Sequence, residues 1–365
     1  MDGETPSALP RARTLEDVAR LAGVSRNTVS LAIRMSPRVN PKTRDRVLQV
    51  VRETGYRPNF AARALAGRRT MTVGLARYGS TRLQGDSYFD ALVAGLRRAL
   101  EAAGYDLLLI APSRMSDGFD LVEPIASGRV DGVVVAGMHT DRAAVVEAHR
   151  KGAALVHIGR RDFGAPVPIV TADQIAGLEW VLSHLRSHGH HRIAFVCEDL
   201  NFEPTRSGIQ AYRNLSLEAG ATEDDLLVVD VGNAEPDRVR ETVRLLIDRG
   251  MTAAFSTRDA LAVGLVRGLK ELGIETPEQF ALIAYDNLDW APFVEPALTC
   301  VAPPRFGLGF AAGEMIVALI EGRPLGPPPV LAPQKVVRRS CGCAWSPLDE
   351  QRSLELVPAS EQAAT

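Results

Sequence analysis

Residues 14–65 carry the start and stop signals of three short helices and then of a fourth of about two turns, an order that fits a small helical unit tethered to something larger. Thr14 with Asp17 three residues on is a capping-box pair, and Val18, Leu21 and Ala22 follow at helical spacing, so a helix begins near Leu15. Gly23 can take the positive φ that ends it, and Ser25 can cap a second helix that turns Val29, Ala32 and Ile33 inward. Asn40 as cap, Pro41 in the first turn and Gly55 past the last turn bracket a third helix with Val47, Val50 and Val51 on its inner face. This is helix-turn-helix spacing, and three such helices can enclose one small core. Arg26, Asn27 and Ser30 face outward at the start of the second helix, where they can donate to base edges or phosphates in a major groove.

Charge points the same way. Residues 1–70 hold 14 Lys and Arg against 6 Asp and Glu, a net of +8, and the other 295 residues hold 28 against 38, a net of −10. A basic head on an acidic body attracts phosphate at long range, whereas a merely solvated helical face mixes both signs. Residues 1–13 and 347–365 are polar with few apolar anchors, and a disordered arm and tail are expected there. The first 13 residues lack the apolar core of a signal peptide and no apolar run reaches membrane-spanning length. Four cysteines in 365 residues make no disulfide scaffold, so a reducing cytoplasm is the expected compartment.

Beyond Thr72 apolar runs alternate with amphipathic stretches. Strands are expected at 73–76, 105–110, 132–136, 154–158, 193–197, 226–231, 253–256 and 280–285, and helices at 88–103, 117–128, 174–188, 207–219, 235–249, 259–272 and 306–321. Such alternation with short connections implies α/β architecture, doubly wound parallel sheets covered on both faces. The stretch is too long for one such core, so two lobes are expected. The anticipated division is a headpiece at 14–58, a linker at 59–69 and a two-lobed body at 70–346.

At this point a family resemblance enters. TLEDVARLAGVS at 14–25, TVS at 28–30, SPRVNPKTRDRVL at 36–48 and GYRPN at 55–59 resemble the headpiece of the lactose-repressor (LacI) family of transcription regulators. The resemblance implies that Arg26 and Asn27 read bases and that Thr14, Ser25, Thr28, Asn40 and Tyr56 hold phosphates. Leu31 stands where many members have a guanine-reading Arg, so a different half-site is expected. NFAARALAG at 59–67 has a cap, an Ala-rich interior and a Gly stop, too short to persist as a helix without a partner. It resembles the family's hinge helix, which implies that Leu65, with Asn59 and Ala62 beside it, wedges into the minor groove.

The body carries the likeness on: GHHRIAFV at 189–196, residues 206–212, RDALAVGLVRGLKELGI at 258–274, ALIAYDNLDW at 281–290 and PALTCVAPP at 296–304 follow the family's order. This implies a body similar to periplasmic sugar-binding proteins, with lobes of about 70–170 plus 302–332 and 171–301 plus 333–346, three crossings between them and an effector in the cleft. Expected contacts at strand carboxyl ends are Tyr88, Phe89, Arg160, Arg161, Asp173, Arg206, Arg258, Asp259 and Asp286. Carboxylates, guanidinium groups and aromatic faces suit a polyol, so the expected effector is a sugar or sugar derivative. Asp259 also precedes a helix and can simply cap it. Gly208 takes the place of an effector-clamping Arg and Arg258 that of an Asn before Asp259, departures that imply altered specificity, with an acidic or phosphorylated compound as the variant.

Enzyme motifs do not emerge: there is no phosphate loop, nucleophile elbow or zinc-protease helix. His188, His190 and His191 cluster locally, and Cys341 with Cys343 forms a CxC pair, but neither has further ligands at metal-site spacing, so no metal and no cofactor are expected. The expectation is a homodimeric repressor that binds pseudo-palindromic double-stranded operator DNA, takes a small-molecule effector, has no membrane partner and catalyses nothing. The competing expectation is a cytoplasmic small-molecule receptor without gene control.

Overall fold

A computed structural model describes residues 14–33, 36, 38–56, 69–78, 87–110, 120–137, 140–232 and 235–344 of the chain. The chain divides into two compact units, Met1–Thr70 and Met71–Thr365.

The first unit holds α1 (Leu15–Ala22), α2 (Arg26–Ile33) and α3 (Pro41–Thr54). The capping box forms as the sequence dictates: Thr14 Oγ1 accepts from the Asp17 N–H at 3.2 Å and the Asp17 carboxylate accepts from the Thr14 N–H at 3.1 Å. Gly23 takes φ 62° between α1 and α2, and Asn40 caps α3 by accepting from the Lys42 N–H at 3.0 Å. Val18, Ala19, Ala22, Val29, Ala32, Val47, Val50 and Tyr56 form the core. Leu21, Ile33 and Val51, expected inside, pack at its rim because helices this short bury only a narrow stripe.

The second unit starts with β1 (Thr72–Tyr78), α4 (Ser87–Ala102), β2 (Asp106–Ile110), α5 (Glu123–Ala126), β3 (Gly132–Gly137), α6 (Arg142–Arg150), β4 (Leu155–Ile158) and β5 (Ile169–Ala172). The chain then builds another layer from α7 (Gln174–Ser187), β6 (Ile193–Cys197), α8 (Glu203–Glu218), β7 (Leu227–Asp230), α9 (Pro236–Asp248), β8 (Ala253–Ser256), α10 (Asp259–Glu271), β9 (Ala281–Tyr285) and β10 (Thr299–Ala302). It closes with α11 (Arg305–Glu321), β11 (Val330–Leu331) and β12 (Gln334–Val336). Two six-stranded sheets result, ordered β11-β5-β4-β3-β1-β2 and β12-β10-β9-β8-β6-β7. The chain therefore passes between sheets after β5, after β10 and after β11. Pairing is parallel throughout except β12, which lies antiparallel on β10 with Cys300 opposite Val336. The inner strands β3, β6, β8 and β10 are buried almost end to end, which is why they read as unbroken apolar runs rather than alternating ones.

All eight expected strands are present. Three helical expectations change. The 117–128 helix is a single turn, Glu123–Ala126, hemmed in by Pro124 and Gly128, with 117–119 outside the described residues. The 207–219 helix begins earlier, at Glu203. α6, absent from the sequence reading, forms because Asp141 accepts from the Ala143 and Ala144 N–H groups and Val145 with Ala148 face the sheet. β5, β10, β11 and β12 are two to four residues long, too short for a periodicity signal.

α4 and α11 pack backbone to backbone. A Cβ on Gly95 would overlap the Phe306 carbonyl, one on Gly309 the Leu92 carbonyl, and one on Gly313 would sit 2.6 Å from the Ala99 Cβ. Only glycine permits that approach, which draws both helices onto β3 and β4. His157 on β4 is 3% exposed; its Nδ1–H donates to the Gly159 carbonyl at 3.1 Å and its Nε2 faces Thr140 Oγ1 at 3.3 Å.

Burial holds the His157 imidazole neutral, down at about 4 from its ordinary 6.5, with Arg161 adding to the effect against the Gly159 hydrogen bond. The unfolded chain therefore takes up this proton first. Stability from this group is complete above pH 6.5 and declines as pH falls toward about 4. Denaturant unfolding of the wild type should lose about 3 kcal/mol more than a His157→Gln variant across that window, and parallel pH profiles for the two would contradict it.

Candidate functional site

The first unit offers a nucleic-acid face. Arg26 and Asn27 open α2 and are exposed, as expected. Arg26 Nη1 lies 3.0 Å from Glu16 Oε1, with the two side chains 65% and 61% exposed. Such a pair contributes little, so the guanidinium can be drawn off to a base edge. Ser25 Oγ accepts from the Thr28 N–H at 3.1 Å and lies 2.8 Å from Thr28 Oγ1, which ties both hydroxyls to the first turn of α2. Thr14 and Asn40 are exposed helix caps whose polar atoms sit beside free helix N–H groups, the natural place for a phosphate. Leu31 is half-buried against the core, and Tyr56 is 6% exposed and is itself a core residue. Asn59, Ala62 and Leu65 lie outside the described residues.

The second unit holds a cleft of about 450 Å³. Its walls are the carboxyl-end turns of both sheets: Arg77 from β1, Gly137 from β3, Gly159–Arg161 after β4 and Ala172 from β5 on one side; Glu198 and Asp199 after β6, Thr257 and Arg258 after β8 and Tyr285–Leu288 after β9 on the other. A parallel sheet delivers all those turns to one edge, so the placement follows from the topology.

Five expected contacts line the cleft: Phe89, Arg160, Arg161, Arg258 and Asp286. The Arg77 guanidinium lies over the Phe89 ring, 4.3 Å from its centroid. Arg258 reaches Glu198 at 3.6 Å and Asp286 at 3.4 Å, and burial raises the Glu198 carboxyl above its usual range against the pull of Arg258. Arg161 Nε is buried without a hydrogen-bond partner. Asp286 and Asn287 adopt φ 128° and 56°, a conformation that needs fastening. Asp259 supplies it: its carboxylate accepts from the Leu288 N–H at 2.6 Å, while Arg305 donates to the Asn287 carbonyl at 3.0 Å.

Four expected contacts stand elsewhere. Asp259 is fully buried at the start of α10, behind the lining, and its carboxyl is raised above the usual range, chiefly by burial. Asp173 caps α7, accepting from the Ala176 N–H at 3.0 Å. Arg206 is exposed on α8, one position past the lining residue Thr205. The Tyr88 side chain lies outside the described residues. A Cβ at Gly208 would sit 3.2 Å from both the Phe195 ring and Gln174 Nε2, so Gln174, itself in the lining, occupies ground that a long side chain on α8 would need.

Sequence reasoning missed Arg77, His157, Gln174, Glu198, Phe202, Phe255 and Tyr285. Glu198 follows directly on the expected strand 193–197 and was findable by the strand-end rule. Phe255 and His157 read as core residues because they sit inside apolar runs.

Residues 14–59 match the family model described as bacterial regulatory proteins, lacI family, and residues 182–341 the one described as periplasmic binding protein-like domain. The HTH-type transcriptional regulator CelR of Thermobifida fusca is 32% identical over 87% of this chain and 94% of its own. Catabolite control protein A of Priestia megaterium is 29% identical over 83% and 91%. The solved complex of transcriptional regulator CelR with cellobiose superposes with TM-score 0.65 at 30% identity, covering 90% of this chain and all of that one, 100%. The lac repressor dimer bound to operator and the anti-inducer ONPF gives TM-score 0.74 over 91% and 99%, at 22% identity a likeness of fold. A helix-turn-helix unit joined to a two-sheet ligand-binding body, with relatives of this identity over nearly the whole chain, shows that the protein belongs to the lacI family of bacterial regulatory proteins and is a DNA-binding transcription regulator.

Proposed function

We propose that this regulator is a homodimeric repressor of the cytoplasm, that it binds a pseudo-palindromic operator through Arg26 and Asn27, and that a carbohydrate in the cleft controls it. The observation that carries the effector reading is Arg258 held between Glu198 and Asp286 on a rim that also presents Phe89, Phe202 and Tyr285. Paired carboxylate and guanidinium groups grip adjacent hydroxyls, aromatic faces cover sugar C–H faces, and about 450 Å³ falls in the range of small-molecule sites. The cellobiose bound to the CelR relative supports a β-linked glucose oligomer as the first class to test. Gly208, with Gln174 filling the ground beside it, supports a specificity shifted from members that clamp the effector with an Arg there.

Residues 59–69 are proposed as the hinge, with lobes of about 70–170 plus 302–332 and 171–301 plus 333–346. The coupling runs through populations: a ligand that binds the closed cleft better favours it, and a hinge helix of two turns is marginal enough to fold or melt in response. The relatives are transcription regulators, not enzymes, and the cleft is read as a receptor site. No helix among the described residues is long and apolar enough to cross a membrane.

Two substitutions separate the two halves of this proposal. Leu65→Ala should lower affinity for the selected operator at least about tenfold, by loss of an apolar wedge worth a few kcal/mol, and leave sugar binding intact; unchanged operator affinity would contradict the hinge assignment. Asp286→Ala should weaken cellobiose binding by roughly 10- to 100-fold, the cost of a charged hydrogen bond, without changing operator affinity in the absence of sugar. Calorimetry showing wild-type sugar affinity would remove Asp286 from the site.

A further inference from the structure

Far from the cleft, the C-terminal end of the described chain folds back onto the last turns of α7. His184 and His188 are four apart on that helix and so share a face. Beyond β12 the chain is fastened firmly: Arg338, 1% exposed, donates to the Leu298 carbonyl at 2.6 Å, and Ser340 Oγ donates to the Leu282 carbonyl at 2.6 Å while accepting from the Thr299 N–H at 2.8 Å. The following turn, with Gly342 at φ 94°, brings Cys341 and Cys343 up against the two imidazoles. Cys341 Sγ lies 3.3 Å and Cys343 Sγ 3.5 Å from His184 Nε2, and Cys343 Sγ lies 3.3 Å from His188 Nε2. The ligand atoms of His184, His188 and Cys343 all fall within 4.8 Å of one another. Trp180 stacks on His184 with ring centroids 4.9 Å apart and fixes the plane of that imidazole.

These spacings are what a tetrahedral ion requires. Bonds of about 2.0–2.3 Å to nitrogen and sulfur place neighbouring ligand atoms roughly 3.3–3.8 Å apart. Ordinary S–H···N hydrogen bonds have similar lengths but account poorly for the convergence, since His184 Nε2 has a single lone pair and two sulfurs lie on it. We propose that His184, His188, Cys341 and Cys343 form a Cys₂His₂ site for Zn²⁺. Two thiols lose their protons to solvent as two Zn–S bonds form, the two neutral imidazoles donate their Nε2 lone pairs, and the thiolates balance the charge of the ion. His184 stands ten residues from Gln174 on α7, about 15 Å along the axis, so this site is separate from the ligand cleft. Its role is a clasp that ties the terminal segment, and through it β12 and β10, to α7. The CxC pair was set aside as ordinary thiols because its partners lie more than 150 residues upstream, where only the fold could bring them together.

The test uses the full-length protein, reduced, stripped with a chelator and dialysed, then titrated with Zn²⁺ and separately with Co²⁺. The expected result is uptake of a single Zn²⁺ per chain, a higher melting temperature with the ion, and the intense visible absorption of tetrahedral thiolate-bound Co²⁺. Cys341 is buried and its replacement can disturb folding, so His188→Ala and Cys343→Ser, at more exposed positions, carry the comparison. Each should lose Zn²⁺ affinity by more than about 100-fold with circular dichroism and operator binding unchanged. A reduced wild-type chain that takes up neither ion, or variants that bind Zn²⁺ as the wild type does, would overturn the assignment.

Discussion

Parallel strand pairing is the constraint on which the body depends. In each sheet the neighbouring strands run one way, so their carboxyl-end turns emerge at one edge, and the chain passes between the sheets often enough to bring the two edges to one crevice. The buried strands supply rigidity, and the turns, free of ladder duties, supply chemistry.

The cleft is held ready by groups that stay behind its surface. Asp286 and Asn287 occupy backbone conformations that side chains rarely adopt, and they persist because Asp259 and Arg305 bond the same turn from behind. Asp259 thus positions Asp286, which in turn pairs with Arg258 beside Glu198. A ligand meeting this row finds donors and acceptors already oriented, and little ordering is left for binding to accomplish.

Much of this was legible in the amino-acid sequence, and the limits have physical causes. The headpiece was read to the residue at Thr14, Asn40 and Gly55 because caps and stops are local chemistry: the side chain that ends a helix is part of the same few residues. Long apolar runs such as 193–197 and 253–256 were equally plain. The strand β10, four residues of TCVA, gave no period to count. Cleft residues were found where they follow a strand, as with Arg258 and Asp286. They were missed where they end one, as with Phe255, since an apolar residue facing a crevice looks like one facing the core. Asp173 and Asp259 were placed near ligand because an acidic residue after a strand is ambiguous between binding and capping, and in both the structure shows a backbone N–H as partner.

The central claim is that a basic head of net +8, carrying outward Arg26 and Asn27, reads a symmetric DNA site, while an acidic body of net −10 stays off the phosphates. Selection from a random double-stranded DNA pool by the full-length protein, at moderate salt with and without a sugar mixture, tests it most directly. Enrichment of one pseudo-palindrome, strengthened or released by sugar, is the predicted result. A pool that stays random under both conditions would contradict the account.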